Sequence, residues 1–141
     1  MTQEQKDLLL KDLCARLPYS VKISVQSWDE REMEYVDKVD VLYSVNGDEY
    51  IKSTNEDYDF SLEEVKPYLF PLSSMTDEQK KEYNRWKHEI LVSHYEYGDV
   101  VEEIELFDSP ESFEYLIENH FDYHGLIPMG LAKDATKLNI Y

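Results

Sequence analysis

The sequence predicts an α+β fold in which an antiparallel sheet of three to four strands packs against about four helices. Three observations support this prediction. Apolar residues recur at helical spacing near both ends of the chain, they alternate with polar residues between positions 21 and 51, and Asn46-Gly47 separates two of the alternating runs. A chain of 141 residues has the ordinary length of one domain, so we expect a single domain over residues 1–141.

The first predicted helix begins near Thr2, which has the spacing of a capping box with Gln5. Pro18 ends this helix, because proline cannot continue the hydrogen-bond ladder. Its apolar stripe follows the i, i+3, i+4, i+7 pattern through Leu10, Leu13, Cys14 and Leu17. Since Cys14 lies within the stripe, we interpret it as a buried structural thiol. A lone cysteine also excludes an internal disulfide.

Two alternating runs then predict strands with one buried face each. The first run has Val21, Ile23 and Val25 at alternate positions, and the second has Val39, Val41, Tyr43 and Val45. Asn46-Gly47 is a two-residue turn signal, which would pair Tyr43 with Tyr50 and Leu42 with Ile51. We therefore predict a three-stranded antiparallel meander.

Capping boxes predict the two middle helices. Ser61 with Glu64 opens a short helix that has an apolar stripe of Leu62, Val65 and Leu69. Thr76 with Gln79 opens the longest helix, which ends at Gly98. The apolar face of this longest helix consists of Tyr83, Trp86, Ile90, Leu91 and His94. After this helix, Val100, Ile104 and Leu106 would lie on one face of a predicted fourth strand. Glu102, on the same face, interrupts this apolar pattern.

The last predicted helix has a clear start, with Asp108 or Ser109 as the cap and Pro110 at the first helical position. Its apolar face consists of Phe113, Leu116, Ile117, His120 and Phe121. The apolar residues 126–131 follow, and we expect them to pack on the core.

The net charge of −17 is the strongest global property of the chain. It argues against nucleic acid and anionic membranes as direct partners, because both would repel the chain. Residues 88–132 contain eleven acidic residues and no Lys or Arg. This acidic run is either a solubilising surface or a docking face for a basic protein. The residues predicted to bind such a partner are Glu102, Glu103, Glu105, Glu111, Glu114, Tyr115 and Glu118.

His120, Asp122 and His124 form the one cluster with a metal-binding residue set. On a helix, however, Asp122 would point away from both histidines. The chain has neither a Gly-rich phosphate loop nor a G-x-S-x-G elbow. We therefore predict no catalytic residues and no cofactor, and a metal-dependent hydrolase using this cluster is an alternative hypothesis.

Three stretches, KDLCARLPY (11–19), SSMTDEQKKEY (73–83) and NHFDYHGLIPMGLA (119–132), resemble small uncharacterised proteins of anaerobic gut bacteria and of their phages and mobile elements. The resemblance implies a bacterial or phage protein in the cytoplasm and carries no activity with it. We expect a non-enzymatic acidic protein-binding module, such as an accessory, inhibitor or immunity-like protein of a mobile element. A structural subunit of a larger assembly is a further alternative, and the oligomeric state is left open.

Overall fold

The computed structural model describes residues 1–47 and 49–141. Over this part of the chain we number three α-helices and eight strands in chain order. The helices are α1 (Gln3–Arg16), α2 (Asp77–Arg85) and α3 (Pro110–Glu118). The strands are β1 (Lys22–Asp29), β2 (Glu34–Val45), β3 (Tyr50–Ser53), β4 (Phe60–Ser61), β5 (Lys66–Leu69), β6 (His88–Glu96), β7 (Asp99–Phe107) and β8 (Lys133–Asp134). None of these helices is long and apolar enough to cross a bilayer.

The chain divides into two compact units. The sheet unit consists of Met1–Ser74 and Ile117–Tyr141, and the ribbon unit consists of Met75–Leu116. In the sheet unit, six strands form one sheet in the order β4-β3-β2-β1-β5-β8. Its described pairs are antiparallel, apart from the parallel pair β5–β8. The ribbon unit contains the two-stranded sheet β6-β7. The α+β class is confirmed, with more strands and fewer α-helices than predicted, while a single domain stays a prediction.

The three-stranded meander of β1, β2 and β3 is confirmed. The prediction of which alternate residues of β2 are buried was wrong. Val39 and Tyr43 are exposed, whereas Asp40 and Leu42 are buried. The register pairs Ile23 of β1 with Asp40, which puts Asp40 on the side of the sheet that faces the core. Its carboxylate accepts hydrogen bonds from backbone N–H groups, including that of Val41 at 2.8 Å, so the buried charge is satisfied.

The β2–β3 connection is longer than the predicted two-residue turn. Val45 pairs with Ile51 and Leu42 pairs with Ser53, so the predicted pairs of Tyr43 with Tyr50 and Leu42 with Ile51 were wrong. The backbone N–H of Asn46 donates to the carbonyl of Tyr50 at 3.0 Å, and the Asn46 side chain accepts from the N–H of Tyr50 at 3.1 Å. Asn46 therefore caps a wider turn, because its side chain bonds across the connection.

Two predicted helices are shorter than expected. The Ser61–Glu64 capping box forms but opens a single 3₁₀ turn, Leu62–Glu64, after which the chain enters β5. Pro67 explains this change, because the residue before a proline is pushed out of helical conformation. Leu62, Val65 and Leu69 are buried all the same.

The predicted longest helix is also wrong. The Thr76–Gln79 capping box is present, but α2 ends at Arg85 and β6 begins at His88. Residues 88–96 include Ile90, Val92 and Tyr95, whose β-branched and aromatic side chains favour strands when a pairing partner is present. Gly98, predicted to end the helix, lies in the β6–β7 turn with φ = 85°. The predicted fourth strand is present as β7, but it pairs with β6 in a separate two-stranded sheet and does not join the sheet of β1, β2 and β3.

Helix α1 buries a different face from the one predicted. Its capping box of Thr2 and Gln5 is confirmed, but Cys14 is exposed, so its interpretation as a buried thiol was wrong. The buried residues of α1 are instead Leu9, Asp12, Leu13 and Arg16. Asp12 and Arg16 share this buried face with Leu9 and Leu13, and the two charged side chains bond to each other there.

The end of the chain follows the prediction more closely. Helix α3 begins at Pro110, and the Oγ of Ser109 accepts a hydrogen bond from the N–H of Ser112 at 3.0 Å, as a helix cap does. Leu126 and Leu131 belong to the core cluster, which also contains Leu13 of α1. The expectation that residues 126–131 pack on the core is thus confirmed.

Replacing Leu126 by alanine should lower the free energy of unfolding by about 2–5 kcal/mol, because the fully buried side chain leaves a cavity. The matched control is Leu138→Ala, since Leu138 is exposed and its replacement should change stability by less than about 0.5 kcal/mol. Urea unfolding of both variants measures the difference. Equal effects of the two substitutions would show that residues 126–131 are not part of the core in solution.

Candidate functional site

The ribbon unit is organised around the antiparallel hairpin of β6 and β7. Each strand has nine residues, and the pairs run without interruption from His88–Phe107 to Glu96–Asp99. Two side-chain hydrogen bonds link the segments that flank the hairpin. Ser109 donates to the carbonyl of Trp86, and the Tyr83 hydroxyl donates to the carboxylate of Asp108. These bonds hold the two ends of the ribbon together at its base.

One face of this ribbon carries large apolar side chains that are open to solvent. Successive side chains of a strand point to opposite faces, so the register assigns every residue to a face. We call the more apolar one the open face, and it consists of Glu89, Leu91, Ser93, Tyr95, Val100, Glu102, Ile104 and Leu106. Leu91 is 62% exposed, Ile104 is 67% exposed and Tyr95 is 81% exposed. Within the ribbon unit, more than half of each of these three side chains is open to solvent.

The opposite face of the ribbon has a different character. Its residues are His88, Ile90, Val92, His94, Glu96, Asp99, Val101, Glu103, Glu105 and Phe107. Here each apolar side chain stands across from an acidic residue or a histidine, as in the pairs Ile90–Glu105 and Val92–Glu103. Cross-strand pairs in which both side chains are apolar, Tyr95–Val100 and Leu91–Ile104, therefore belong to the open face.

The structure places the predicted partner-binding residues on both faces of the ribbon and on α3. Glu102 lies on the open face, whereas Glu103 and Glu105 lie on the opposite face. Three further acids lie on α3, where they are exposed: Glu111, Glu114 and Glu118. Their spacing of three and four residues places them in one row along the helix. Tyr115 is half-buried, with its ring 6.3 Å from the ring of Tyr83. The predicted set is thus not one continuous face.

The charge of the ribbon has one sign. Its strands carry six carboxylates and no Lys or Arg: Glu89, Glu96, Asp99, Glu102, Glu103 and Glu105. All six are exposed, and among the described ion-pair contacts the one that involves these carboxylates joins Glu96 to the ring of His94 at 3.8 Å. The basic residues of the ribbon unit lie on or next to α2 and are Lys80, Lys81, Arg85 and Lys87. The ribbon is therefore a source of negative potential over both faces.

The predicted metal cluster is not brought together. The His120 ring stacks on Tyr141, with 3.9 Å between centroids. The carboxylate of Asp122 accepts hydrogen bonds from the N–H groups of Leu126 at 2.8 Å and Ile127 at 2.9 Å. Within residues 1–47 and 49–141, no three His, Cys, Asp or Glu side chains are placed to hold a metal ion.

The third member of that cluster belongs to a buried network that the sequence analysis missed. His124 Nδ1 lies 2.7 Å from Asp12 Oδ2, and Arg16 Nε donates to Asp12 Oδ1 at 2.6 Å. Arg16 also donates to the carbonyl of Phe121 at 2.6 Å. Asp12 and Arg16 are fully buried. The network therefore links α1 to residues 121–124. In the sequence it was indicated by Asp12 and Arg16, a pair of opposite charges four residues apart in a helix.

Burial and hydrogen bonding act in opposite directions on Asp12. Burial alone raises the pKa of its carboxyl group, but the hydrogen bonds from His124 and Arg16 outweigh burial and hold the pKa below its usual value. The ionised form is therefore stabilised at neutral pH. Since its carboxylate is already shared between a fully buried Arg16 and His124, this Asp–His pair is suited to holding structure.

A polar depression in the sheet unit offers no comparable surface. It is lined by Ser24, Gln26, Asp37, Glu63, Glu64, Lys66 and Lys133. Lys133 Nζ lies 3.3 Å from Asp37, and Lys6 Nζ lies 3.4 Å from Glu63. Because charges around the depression pair with groups of the same chain, it has no pronounced preference for a charged ligand.

The buried ion pair makes a clear prediction about stability. Arg16→Met should lower the free energy of unfolding by about 3–5 kcal/mol, because it removes one of the two side chains that bond to the buried charge of Asp12. The double variant Asp12→Leu/Arg16→Met should lose less than the single variant, since no charge then remains unpaired. Urea unfolding compares them, with exposed Arg85→Met as the control. A double variant that is less stable than Arg16→Met would contradict this account.

His120 predicts how stability responds to acid. Burial, followed by the nearby charges of Arg16 and Lys22, lowers the pKa of His120 from 6.5 to about 4. The unfolded chain therefore binds a proton at this residue between pH 6.5 and 4, where the folded chain does not. Stability should accordingly fall as the pH drops through this range. His120→Asn should reduce that fall, because asparagine does not titrate and tolerates the positive φ of 65° at this position.

The measurement is the melting temperature at pH 7 and at pH 4.5 for the wild type, His120→Asn and the control His94→Asn. We expect the acid-induced drop to shrink for His120→Asn and to stay at the wild-type value for His94→Asn. An equal drop in all three proteins would assign the acid sensitivity to other groups.

The chain was compared with protein-family models, curated proteins and solved structures. No family model, no curated protein and no solved structure matches the chain. The assignment of a function therefore depends on the ribbon, the helix row and their chemistry.

Proposed function

We propose that the chain is a non-enzymatic module that binds a positively charged protein through the ribbon. The observation that carries this proposal is the combination of six exposed carboxylates on the two strands with five exposed apolar side chains on the open face. In a bacterial or phage cytoplasm, such a module would serve as an accessory, inhibitor or immunity-like protein of a mobile element.

The apolar side chains distinguish a binding surface from a solubilising one. A surface that only keeps a protein in solution is rich in charge and poor in exposed large apolar residues. Here Leu91, Tyr95 and Ile104 are among the more exposed large side chains of the chain. Burying each of them on a partner would contribute about 1.5–3 kcal/mol before the costs of association. Apolar surface rimmed by charge is typical of protein interaction sites.

The ribbon itself also favours this interpretation. A two-stranded hairpin is at best marginally stable in water when it has no packed face. The cross-strand apolar pair Leu91–Ile104 supports it only weakly, because both side chains are exposed. A partner that covers one face would stabilise the hairpin and gain apolar contact at once.

The sign of the charge selects the class of partner. Six carboxylates on one hairpin raise the rate of encounter with a basic surface and make that rate sensitive to salt. The same field repels phosphate backbones and anionic lipid, so the proposed partner is a protein rather than a nucleic acid or a membrane.

Charge reversal on the ribbon tests this function. The double variant Glu102→Lys/Glu105→Lys changes one residue on each face, and the tagged chain is used to recover proteins from a lysate of its host. We expect recovered proteins to be basic, their recovery to fall sharply for the variant, and wild-type recovery to fall at about 0.5 M salt, where screening acts over about 4 Å. Mass spectrometry identifies and quantifies the recovered proteins.

The matched control is Glu30→Lys/Glu32→Lys, which makes the same change in net charge at exposed positions of the sheet unit. This control should recover the same proteins as the wild type. If both double variants lose recovery equally, the net charge of the chain and not the ribbon governs binding, and the proposed function is wrong.

A further inference from the structure

We infer that the open face of the ribbon is the docking face and that its occupant is an extended segment of the partner carrying Lys or Arg between two apolar side chains. This inference rests on the proposed function and adds to it the face that is used and the chemistry of the segment that is bound.

The order of side chains along the open face supplies the pattern. Counted from the turn, the cross-strand pairs are Tyr95–Val100, Ser93–Glu102 and Leu91–Ile104, and Glu89–Leu106 follows. Successive pairs on one face of a sheet are two residues apart, which is about 7 Å. The open face thus presents an apolar pair, an acidic position and a second apolar pair over about 14 Å along the strands.

Glu102 decides which occupant this face accepts. It stands across from the small side chain of Ser93, and its neighbours on the same face of β7 are Val100 and Ile104. A partner that covered these apolar residues would remove water from the Glu102 carboxylate. A carboxylate that loses water needs a cation in its place, because an unpaired buried charge is strongly unfavourable. The occupant must therefore place Lys or Arg over Glu102.

The spacing favours an extended occupant over a helical one. In a strand, residues i, i+2 and i+4 point to one side and are separated by about 7 Å, which matches the three positions of the open face. In an α-helix, residues on one side are separated by about 5–6 Å along the axis and drift around it. The complementary sequence is therefore an apolar residue, any residue, Lys or Arg, any residue and a second apolar residue.

A second copy of the chain does not fit this face. Two open faces in contact would bring Glu89 and Glu102 of one copy against the carboxylates of the other, with no Lys or Arg on either ribbon. Like charges placed together at an interface are unfavourable. Charge complementarity thus points to a basic partner instead of self-association.

Selection of peptides from a random phage-displayed library tests the inference without a known partner. The full chain is immobilised, and binders to Leu91→Ser/Ile104→Ser are removed first, because that variant lacks the central apolar pair. We expect the remaining peptides to be enriched in the apolar, basic, apolar pattern at alternate positions. Enrichment of peptides without Lys or Arg, or no enrichment at all, would overturn the inference.

One selected peptide is then synthesised, and its Kd is measured for Glu102→Lys and Glu103→Lys. The two variants change net charge identically at adjacent positions but on opposite faces. We expect Glu102→Lys to weaken binding at least about 30-fold, the loss typical of a disrupted desolvated charge pair. Glu103→Lys should weaken binding about threefold or less, because it alters only the field around the ribbon. Circular dichroism confirms that both variants fold.

The outcomes separate this inference from the proposed function. Equal weakening by Glu102→Lys and Glu103→Lys would leave an acidic binding ribbon but no specific docking face, which overturns the inference alone. A concentration-dependent dimer that Leu91→Ser abolishes would identify a second copy as the occupant and overturn it as well. Host proteins recovered equally well by Glu102→Lys/Glu105→Lys and the wild type would contradict the proposed function itself.

Discussion

The buried ion pair of Asp12 and Arg16 is the constraint on which the packing of the sheet unit depends. It turns α1 so that two charged residues face inward beside Leu9 and Leu13. Such a pair is tolerable inside a protein when hydrogen bonds satisfy the remaining polar groups. The carbonyl of Phe121 supplies one of these bonds to Arg16 Nη2, whereas the buried Nη1 has no hydrogen-bond partner among the described residues. The chain after α3 is also bonded to the residue that follows β5. The N–H of Phe70 donates to the carbonyl of residue 120, and the N–H of residue 122 donates to the carbonyl of Phe70. These polar contacts fix the position of residues 120–122, which precede the apolar residues 126–131 that pack on the core.

The ribbon unit follows the opposite physical principle. Its hairpin has complete backbone pairing between the strands but leaves large apolar side chains in water. Hydrogen bonds across one pair of strands do not make a hairpin stable by themselves, so the missing contribution must come from burial of a face. Acidic side chains on the same strands keep such a surface from associating with copies of itself. Under the proposed function, these properties keep the surface available for a partner of opposite charge.

The sequence predicted the elements whose signals are local and less of what depends on pairing. The Thr2 and Thr76 capping boxes, the strand around Ile23 and the start of α3 all follow from neighbouring residues. The stretch from His88 to Glu96 was predicted as helix, because its apolar residues fit helical spacing by coincidence and its pairing with β7 is not a local property. The acidic character of the site was visible in the sequence, as was the interruption of the β7 pattern by Glu102. The division of the acids between two faces, and the exposure of the open face, required the register.

Hydrogen–deuterium exchange of the full chain, with and without a selected basic peptide, tests the central claim most directly. In the free protein, amides of residues 88–107 should exchange faster than those of β1, because a hairpin with an open face unfolds locally at little cost. Binding to the open face should slow exchange throughout residues 88–107 and leave β1 and β2 unchanged. Slowed exchange confined to the sheet unit, or a ribbon whose exchange does not respond to the peptide, would contradict the account.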